Sequence, residues 1–175
     1  MTDWSQIVEE HGTAVWRTAY RLLDHEADAA DCFQRTFISA LEVAGRETVL
    51  CWPALLNRLA TARALEQLRS RIRQRGRQTT LGDEHEIAGS GPQPIEAAQA
   101  GELAQHLRDA LTQIDERQAQ VFCLASLEGL SYEQVGEALG MTANHVGVLL
   151  NRARTSLRER LAAFAPAERE SRREI

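Results

Sequence analysis

The sequence predicts an all-α protein in which two small helical domains are joined by a flexible linker. Apolar residues recur at helical spacings on both sides of one segment rich in glycine and proline, and no apolar–polar alternation is long enough for a strand. With 175 residues, 43% hydrophobic and 26% charged, the chain has the composition of a folded globular protein. We expect the first domain at residues 1–78, the linker at 79–100, the second domain at 101–165 and a tail at 166–175.

The first two helices are predicted from a capping residue and from apolar spacing. Thr2 can cap a helix that runs to about Leu23, and a second helix begins near Asp24. The core-facing residues predicted for this second helix are Ala30, Phe33, Phe37 and Leu41. The complementary face carries Asp28, Asp31, Gln34, Arg35 and Ile38.

A third helix is predicted to begin at Trp52 and Pro53, because proline is tolerated in the first turn of a helix. Its end reads RSRIRQRGR, with arginines at alternate positions, namely Arg69, Arg71, Arg73, Arg75 and Arg77. Steps of two residues advance by about 200° on a helix, so these cations surround the helix end. Two interpretations stay open: a solvated terminus favoured by the helix dipole, or a patch that contacts phosphates.

The segment TTLGDEHEIAGSGPQPIEAAQA, residues 79–100, has glycine and proline breakers, acids and no cation, which is typical of a linker. An amphipathic helix follows it, and its apolar residues are Leu103, Leu107, Ala110, Leu111 and Ile114. The next helix, DERQAQVFCLASLEG, is predicted to end at Gly129.

The stretch GLSYEQVGEALGMTANHVGVLLNRAR, residues 129–154, predicts a helix–turn–helix. Ser131 caps a short helix, Gly140 ends it, and Thr142 caps a longer one. The buried stripe predicted for the longer helix is Val146, Leu150, Ala153, Leu157 and Leu161. The alternative is an ordinary helical hairpin without a DNA role.

The N-terminal half of the longer helix carries the predicted DNA-reading residues, because recognition helices contact base edges mainly there. Asn144 can pair with adenine, His145 can donate or accept a hydrogen bond, and Val148 can touch a thymine methyl group. Arg152 and Arg154 lie further along and suit phosphates.

The net charge of −5 argues against a protein that binds free DNA mainly through attraction between a positively charged surface and the phosphates. Cys32, Cys51 and Cys123 lack the spacing of a zinc site or a disulfide framework, so neither a metal site nor a cofactor is expected. Cys32 and Cys123 lie beside large apolar residues in helical patterns, so buried free thiols are expected there. The N-terminus has no signal-peptide pattern, and no apolar run approaches the ~20 residues of a membrane span. We expect a cytoplasmic protein that is a monomer when free.

Two motifs resemble those of the extracytoplasmic-function (group IV) sigma factors of bacterial RNA polymerase. DAADCFQRTF at 28–37 is similar to the DAEDLVQETF segment of region 2 in that family. Residues 107–161 are similar to region 4, including the closing RAR..LR, and WPALLNRLATARALEQLR at 52–69 follows WL..IARN.AID.LR with changes. The likeness covers nearly the whole chain, and the matching motifs occur in the same order as in the family.

The resemblance implies a dissociable specificity subunit and not an enzyme, with core RNA polymerase, promoter DNA and an anti-sigma protein as partners. It assigns docking on core polymerase to Asp28, Asp31, Gln34 and Arg35. It assigns contact with the −10 promoter element to Arg58, Thr61, Arg63, Arg69, Arg71 and Arg73. It assigns reading of the −35 element to Thr142, Asn144, His145, Val148, Asn151, Arg152 and Arg154.

The chain departs from the family pattern in both predicted DNA-binding regions. Thr61 and Ala62 replace the RN pair common in the −10 helix, and Gly147 and Leu149 stand where region 4 commonly has cations at solvent-facing positions. One alternative is therefore a sigma-derived regulator that binds polymerase without normal −35 reading. Another is a helical adaptor that binds a protein partner through an exposed patch of Val148 and Leu149.

Overall fold

The computed structural model describes residues 3–79 and 95–164, and within these ranges the secondary structure is entirely helical. The all-α prediction is confirmed. The helices are α1 (Trp4–Leu23), α2 (Glu26–Ala44), α3 (Trp52–Thr79), α4 (Ile95–Gln113), α5 (Glu116–Phe122), α6 (Tyr132–Leu139) and α7 (Ala143–Leu161). A π-helical turn, Cys123–Leu127, continues α5, and a 3-10 turn, Ala162–Phe164, follows α7. The predicted tail and most of the predicted linker lie outside the described residues.

Helix α1 ends at Leu23, as predicted, but its cap and the start of α2 differ from the predicted ones. Asp3 caps α1, because its carboxylate accepts hydrogen bonds from the backbone of Ser5 and Gln6, whereas the predicted cap, Thr2, lies outside the described residues. Asp24 has a left-handed backbone, with φ of 50°, and donates its N–H to the carbonyl of Tyr20. The chain therefore turns at Asp24, and α2 begins two residues after it.

The buried face of α2 is rotated relative to the predicted one. Its buried residues are small, namely Ala29, Cys32, Thr36, Ser39 and Ala40. The sulfur of Cys32 lies 3.7 Å from the carbonyl oxygen of Ala60 in α3, so the two helices approach closely. Leu41, predicted to face the core, is 52% exposed. Phe33 and Phe37 are partly buried and pack against an apolar cluster formed by residues of the first half, as predicted. Small side chains occupy the tight contact because larger ones would hold the helices apart.

The two halves of the chain share one apolar cluster. The first half supplies residues of α1, α2 and α3, including Leu22, Leu23, Leu65 and Leu68. The second half supplies residues of α4, α5 and α7, including Leu111, Ile114 and Leu157. The described helices therefore pack together, and the two halves are not separated in this conformation.

Helix α4 begins inside the segment predicted to be linker. It starts at Ile95, directly after Pro94, and its first described turns include residues assigned above to the linker at 79–100. Leu103, predicted to be apolar core, is 55% exposed, whereas Ala110, Leu111 and Ile114 are buried as predicted.

Within the described ranges, every helix is too short or too polar to cross a membrane.

Candidate nucleic-acid and protein interfaces

Helices α6 and α7 form the predicted helix–turn–helix, and its caps are those predicted from the sequence. The Ser131 hydroxyl accepts from the backbone of Gln134, whose side chain accepts from the backbone of Ser131, and this reciprocal pair is a capping box. Gly140 ends α6 with a left-handed backbone, at φ of 67°. The Thr142 hydroxyl accepts from the backbone N–H of His145 at the start of α7. The turn is thus fixed by local hydrogen bonds.

Gly136, in the middle of α6, permits the turn to fold back on the helix. A Cβ atom at this position would lie 2.5 Å from the carbonyl oxygen of Met141, whereas the Met141 N–H donates to the Gly136 carbonyl at 2.8 Å. The role of Gly136 was not predicted from the sequence. Because glycine is unfavourable inside a helix, its presence in the middle of a short helix is the feature that indicates a close contact there.

A separate apolar cluster, apart from the one shared by the two halves, holds α6 and α7 against α5 and the π-turn. It contains Val121, Leu124, Val135, Val146, Leu149 and Leu150. Leu149 is only 7% exposed, so the prediction of an exposed Val148 and Leu149 patch is wrong for Leu149. Position 149 points inward because it follows the buried Val146 by three residues on α7.

The outward face at the start of α7 carries the predicted DNA-reading residues. Asn144, His145, Val148, Asn151 and Arg152 are exposed on it. Two further candidates are also exposed: Thr142 at the cap, and Arg154, whose guanidinium donates to the Ser126 hydroxyl at 3.3 Å.

An aromatic ring lies against this face at the position of Gly147. A Cβ atom on Gly147 would meet Cε2 of Tyr132 at 3.5 Å and Cδ2 at 3.7 Å, which are ordinary packing distances. Tyr132 is 42% exposed and Val148 is 43% exposed. The first residue of α6 therefore contributes apolar surface to the outward face of α7.

Helix α2 presents the predicted polymerase-docking residues in two different environments. Gln34 and Arg35 are exposed, and Nε of Arg35 is 2.9 Å from a carboxylate oxygen of Asp31. Asp28 is instead bound by the guanidinium of Arg71 from α3. Arg71 also donates to the carbonyl oxygen of Leu23, at 2.9 Å, so this arginine ties α3 to the end of α1 and the start of α2.

The other predicted −10 residues are spread along α3. Arg73 is exposed, Arg58 is partly exposed, and Arg63 donates to the Ser39 hydroxyl at 3.1 Å. Arg69 lies 3.9 Å from a carboxylate oxygen of Glu116 in the second half of the chain.

Thr61 is the exception among these candidates, because its side chain is completely buried. Within the part of the chain that the structure describes, its hydroxyl has no hydrogen-bond partner. The prediction that Thr61 contacts DNA is therefore wrong for this conformation, since nucleic acid cannot reach it. Its neighbour Ala60 faces the same α2–α3 contact, which explains the burial.

A polar cluster joins the two halves beside the shared apolar core. Arg21 of α1 donates to the carbonyl oxygen of Leu127 and to the carboxylate of Glu128, at 3.1 Å for the latter. The Glu128 side chain is only 4% exposed. Arg108 of α4 donates to the carbonyl oxygen of Arg21 at 3.0 Å and lies 3.1 Å from the carboxylate of Asp24. These contacts were not predicted, because helical periodicity carries no information on which residues from distant parts of the sequence form pairs.

The cysteines divide into two buried thiols and one exposed thiol. Burial raises the pKa of Cys32 to about 11 and that of Cys123 to about 12, because an apolar environment disfavours the thiolate. Cys51, directly before α3, is exposed, whereas Cys32 and Cys123 are buried as expected. No cluster of three or more metal-binding side chains occurs among residues 3–79 and 95–164.

Comparison with known proteins gives matches over both halves of the chain. Residues 104–157 match the family model described as Sigma-70, region 4. The ECF RNA polymerase sigma factor SigE of Mycolicibacterium smegmatis is 30% identical over 162 residues, which are 93% of this chain and 63% of that protein. The chain thus spans less than two thirds of the length of this relative.

A solved structure has a similar fold over nearly the whole chain. The co-crystal structure of the sigma factor RpoE in complex with the anti-sigma factor NepR from Bartonella quintana matches with a TM-score of 0.54 and 20% identity. The match covers 94% of this chain and 100% of that chain. At 20% identity this likeness shows a shared fold. Similarity to the extracytoplasmic-function group of sigma factors rests on the region 4 match at residues 104–157 and on the relative that aligns with 93% of the sequence.

Proposed function

We propose that the chain is a dissociable sigma subunit that directs RNA polymerase to promoters and supports initiation there. The observation that carries the proposal is the helix–turn–helix at α6 and α7, whose outward face is polar and whose sequence lies within the region 4 match. In this function the chain supplies specificity, and the chemistry of RNA synthesis belongs to the core enzyme. Its place of action would then be the cytoplasm.

Docking on core polymerase is proposed for the outward face of α2. Asp31, Gln34 and Arg35 offer charge and hydrogen-bonding groups at its centre, and Ile38 and Leu41 add exposed apolar surface, at 58% and 52%. Exposed apolar side chains beside polar ones are typical of a protein-binding patch. Asp28 would join this patch only after exchanging its contact with Arg71.

Contact with the −10 element is proposed for the arginines of α3, namely Arg58, Arg63, Arg69, Arg71 and Arg73. Arginine side chains bind phosphates and stack on unpaired bases, which are the interactions that an opened DNA strand requires. Arg73 is exposed for this purpose, whereas Arg69 and Arg71 have intramolecular acidic partners. Part of the −10 surface would therefore form only when these ion pairs are exchanged for DNA contacts.

Reading of the −35 element is proposed for the start of α7, through Thr142, Asn144, His145, Val148 and Asn151. Arg152 and Arg154 would contact the flanking phosphates. With a chain charge of −5 and few cations at the helix start, the free protein should bind DNA weakly. Core polymerase would provide the missing affinity by raising the effective concentration of this helix at the promoter.

The partner-binding half of the proposal can be tested by co-elution with purified core polymerase. We expect the wild-type chain to co-elute in a stoichiometric complex. The double variant Gln34→Ala/Arg35→Glu should weaken this complex at least about tenfold, since reversing one charge in a docking patch costs more than 1 kcal/mol. The matched control is Arg152→Glu, an equal charge reversal on α7, which should leave co-elution unchanged. Equal effects of both variants would reject the α2 face as the docking site.

A second candidate is a sigma-derived regulator that binds polymerase without reading a −35 element. The absence of fixed charge from His145 to Leu150 on α7 favours it. It predicts co-elution with core polymerase but no promoter-specific transcript. The adaptor hypothesis loses its main support, because Leu149 is buried and the proposed apolar patch is reduced to Val148.

An anti-sigma protein is a further proposed partner. The RpoE structure with a similar fold was solved in complex with the anti-sigma factor NepR, and we extend this type of partner to the present chain by analogy.

A further inference from the structure

We propose that Tyr132 is a specificity-determining residue for −35 reading, because its ring lies beside Gly147 on the DNA-reading face of α7. The proposal rests on the proposed function and adds to it a residue outside α7 and a base preference. The ligand it would recognise is a thymine-containing base pair in the major groove.

The position of the ring on the DNA-reading face follows from helical geometry. Asn144, Gly147, Val148 and Asn151 are separated by three, four and seven residues, so they share one face of α7. Asn144, Val148 and Asn151 are exposed on that face. The ring of Tyr132 covers the fourth position, at 3.5 Å from where a Cβ of Gly147 would lie.

The ring lies directly beside Gly147. A Cβ atom there would touch the ring at an ordinary packing distance. At this position of the face, α7 itself offers no side chain to DNA, and the neighbouring group is an aromatic edge. The tyrosine stands at the first position of α6, directly after its cap, where backbone capping fixes the start of the helix.

The exposure of Tyr132 favours a binding role over a packing role. The ring is 42% exposed, and Tyr132 belongs to none of the three buried apolar clusters of the described residues. Val148 is 43% exposed one residue beyond Gly147, so the ring and the valine both add apolar surface to the face that carries the polar Asn144 and Asn151. Such a surface matches the methyl group that distinguishes thymine in the major groove.

The test is transcription by reconstituted holoenzyme from a promoter library in which every base of the −35 element is randomised. Sequencing of the transcribed templates gives the preference at each base pair. We expect the wild type to prefer thymine at one or two adjacent positions. Tyr132→Ala should reduce that preference about five- to tenfold and leave the other positions unchanged, because only these positions contact the ring. Tyr132→Phe should retain the preference, since the ring remains.

Two further variants keep the result interpretable. Tyr20→Ala removes the same side chain at a similar exposure, 45%, on α1, and should leave every −35 preference unchanged. Gly147→Arg places a cation beside the ring, where it competes with the ring for the same base pair, so the preference should move from thymine to guanine, which arginine binds through two hydrogen bonds. This variant tests the proposal even if Tyr132→Ala folds poorly.

The outcomes separate this inference from the function on which it rests. A uniform loss of transcription in Tyr132→Ala together with a lower melting temperature and unchanged base preferences would mean that the ring only packs α6 on α7, and the inference would be overturned. No change of preference in Gly147→Arg would overturn it as well. A wild-type holoenzyme that transcribes without any −35 preference would reject −35 reading itself, and the inference with it.

Discussion

Gly136 determines how closely the turn after α6 can approach that helix. Because a Cβ atom would lie 2.5 Å from the Met141 carbonyl oxygen, Gly136→Ala must push the turn away from α6. We expect a loss of about 1–3 kcal/mol in the free energy of unfolding, the usual cost of overpacking. Urea denaturation followed by circular dichroism measures this loss.

The matched control is Gly101→Ala in α4, where an added Cβ would meet nothing within 4 Å. There the substitution should stabilise the protein by about 0.5–1 kcal/mol, because alanine is favoured over glycine inside a helix. Equal effects at both positions would contradict the steric explanation.

Thiol reactivity distinguishes Cys51 from the other two cysteines. The raised pKa values of Cys32 and Cys123 leave little thiolate at pH 8, and burial blocks access to a reagent. In the native protein we expect a disulfide reagent to modify only Cys51 within minutes. All three thiols should react after denaturation. Rapid reaction of all three in the native protein would contradict the packing of α2 against α3 and of α5 in the shared core.

At the scale of elements, the sequence was most informative where capping residues and glycines mark the ends of helices. The starts of α6 and α7 and the end of α6 were predicted correctly from Ser131, Thr142 and Gly140, because each acts through local hydrogen bonds or backbone conformation. The buried face of α2 was predicted only in part. Phe33 and Phe37 pack against an apolar cluster as predicted, but Leu41 is exposed, and the close approach to α3 selects small residues one position away. The tightness of that contact depends on tertiary packing and is absent from the local pattern.

Arg71 and Arg73, both on α3, should separate a structural role from a DNA-binding role. Arg71 connects α3 to the Leu23 carbonyl and to Asp28, whereas Arg73 is exposed. Arg71→Ala should lower the free energy of unfolding by about 1–2 kcal/mol, since two partly buried hydrogen-bonding groups lose their donor. Arg73→Ala should change stability by less than about 0.5 kcal/mol.

Both variants should weaken binding of the holoenzyme to single-stranded −10 DNA, which fluorescence anisotropy measures. The assignment of α3 to the −10 element would have to be withdrawn if Arg73→Ala left this affinity unchanged at low salt, where phosphate contacts are strongest.

At the scale of the whole molecule, the two halves are held together by the shared apolar cluster and by the polar contacts of Arg21 and Arg108. The predicted separation into two tethered domains did not include these contacts, because each of them joins residues far apart in the chain. The sequence did predict the all-α class, which depends on composition and on the local spacing of apolar residues. The exposure of the candidate residues at the start of α7 was likewise predicted, because it depends on spacing within one helix. The burial of Thr61 and the position of the Tyr132 ring were not predicted, because both depend on neighbouring helices.

The ion pair of Arg21 and Glu128 should contribute to holding the halves together. Arg21→Ala would leave the Glu128 carboxylate, 4% exposed, without this partner, and we expect a loss of about 1–3 kcal/mol, limited because Arg21 is itself partly exposed. Glu128→Gln should cost less, since its amide oxygen can still accept from Arg21. Small-angle scattering should give a larger radius of gyration for Arg21→Ala than for the wild type. An unchanged radius and unchanged stability would indicate that the apolar cluster alone maintains the closed arrangement.

The central claim, that this chain directs RNA polymerase to promoters, is tested most directly by transcription in vitro from a genomic DNA library with core polymerase from the source organism. We predict transcripts whose start sites appear only when the chain is added and whose upstream sequences share two elements at −10 and −35 spacing. Start sites that are the same with and without the chain, although the chain co-elutes with core polymerase, would contradict the claim.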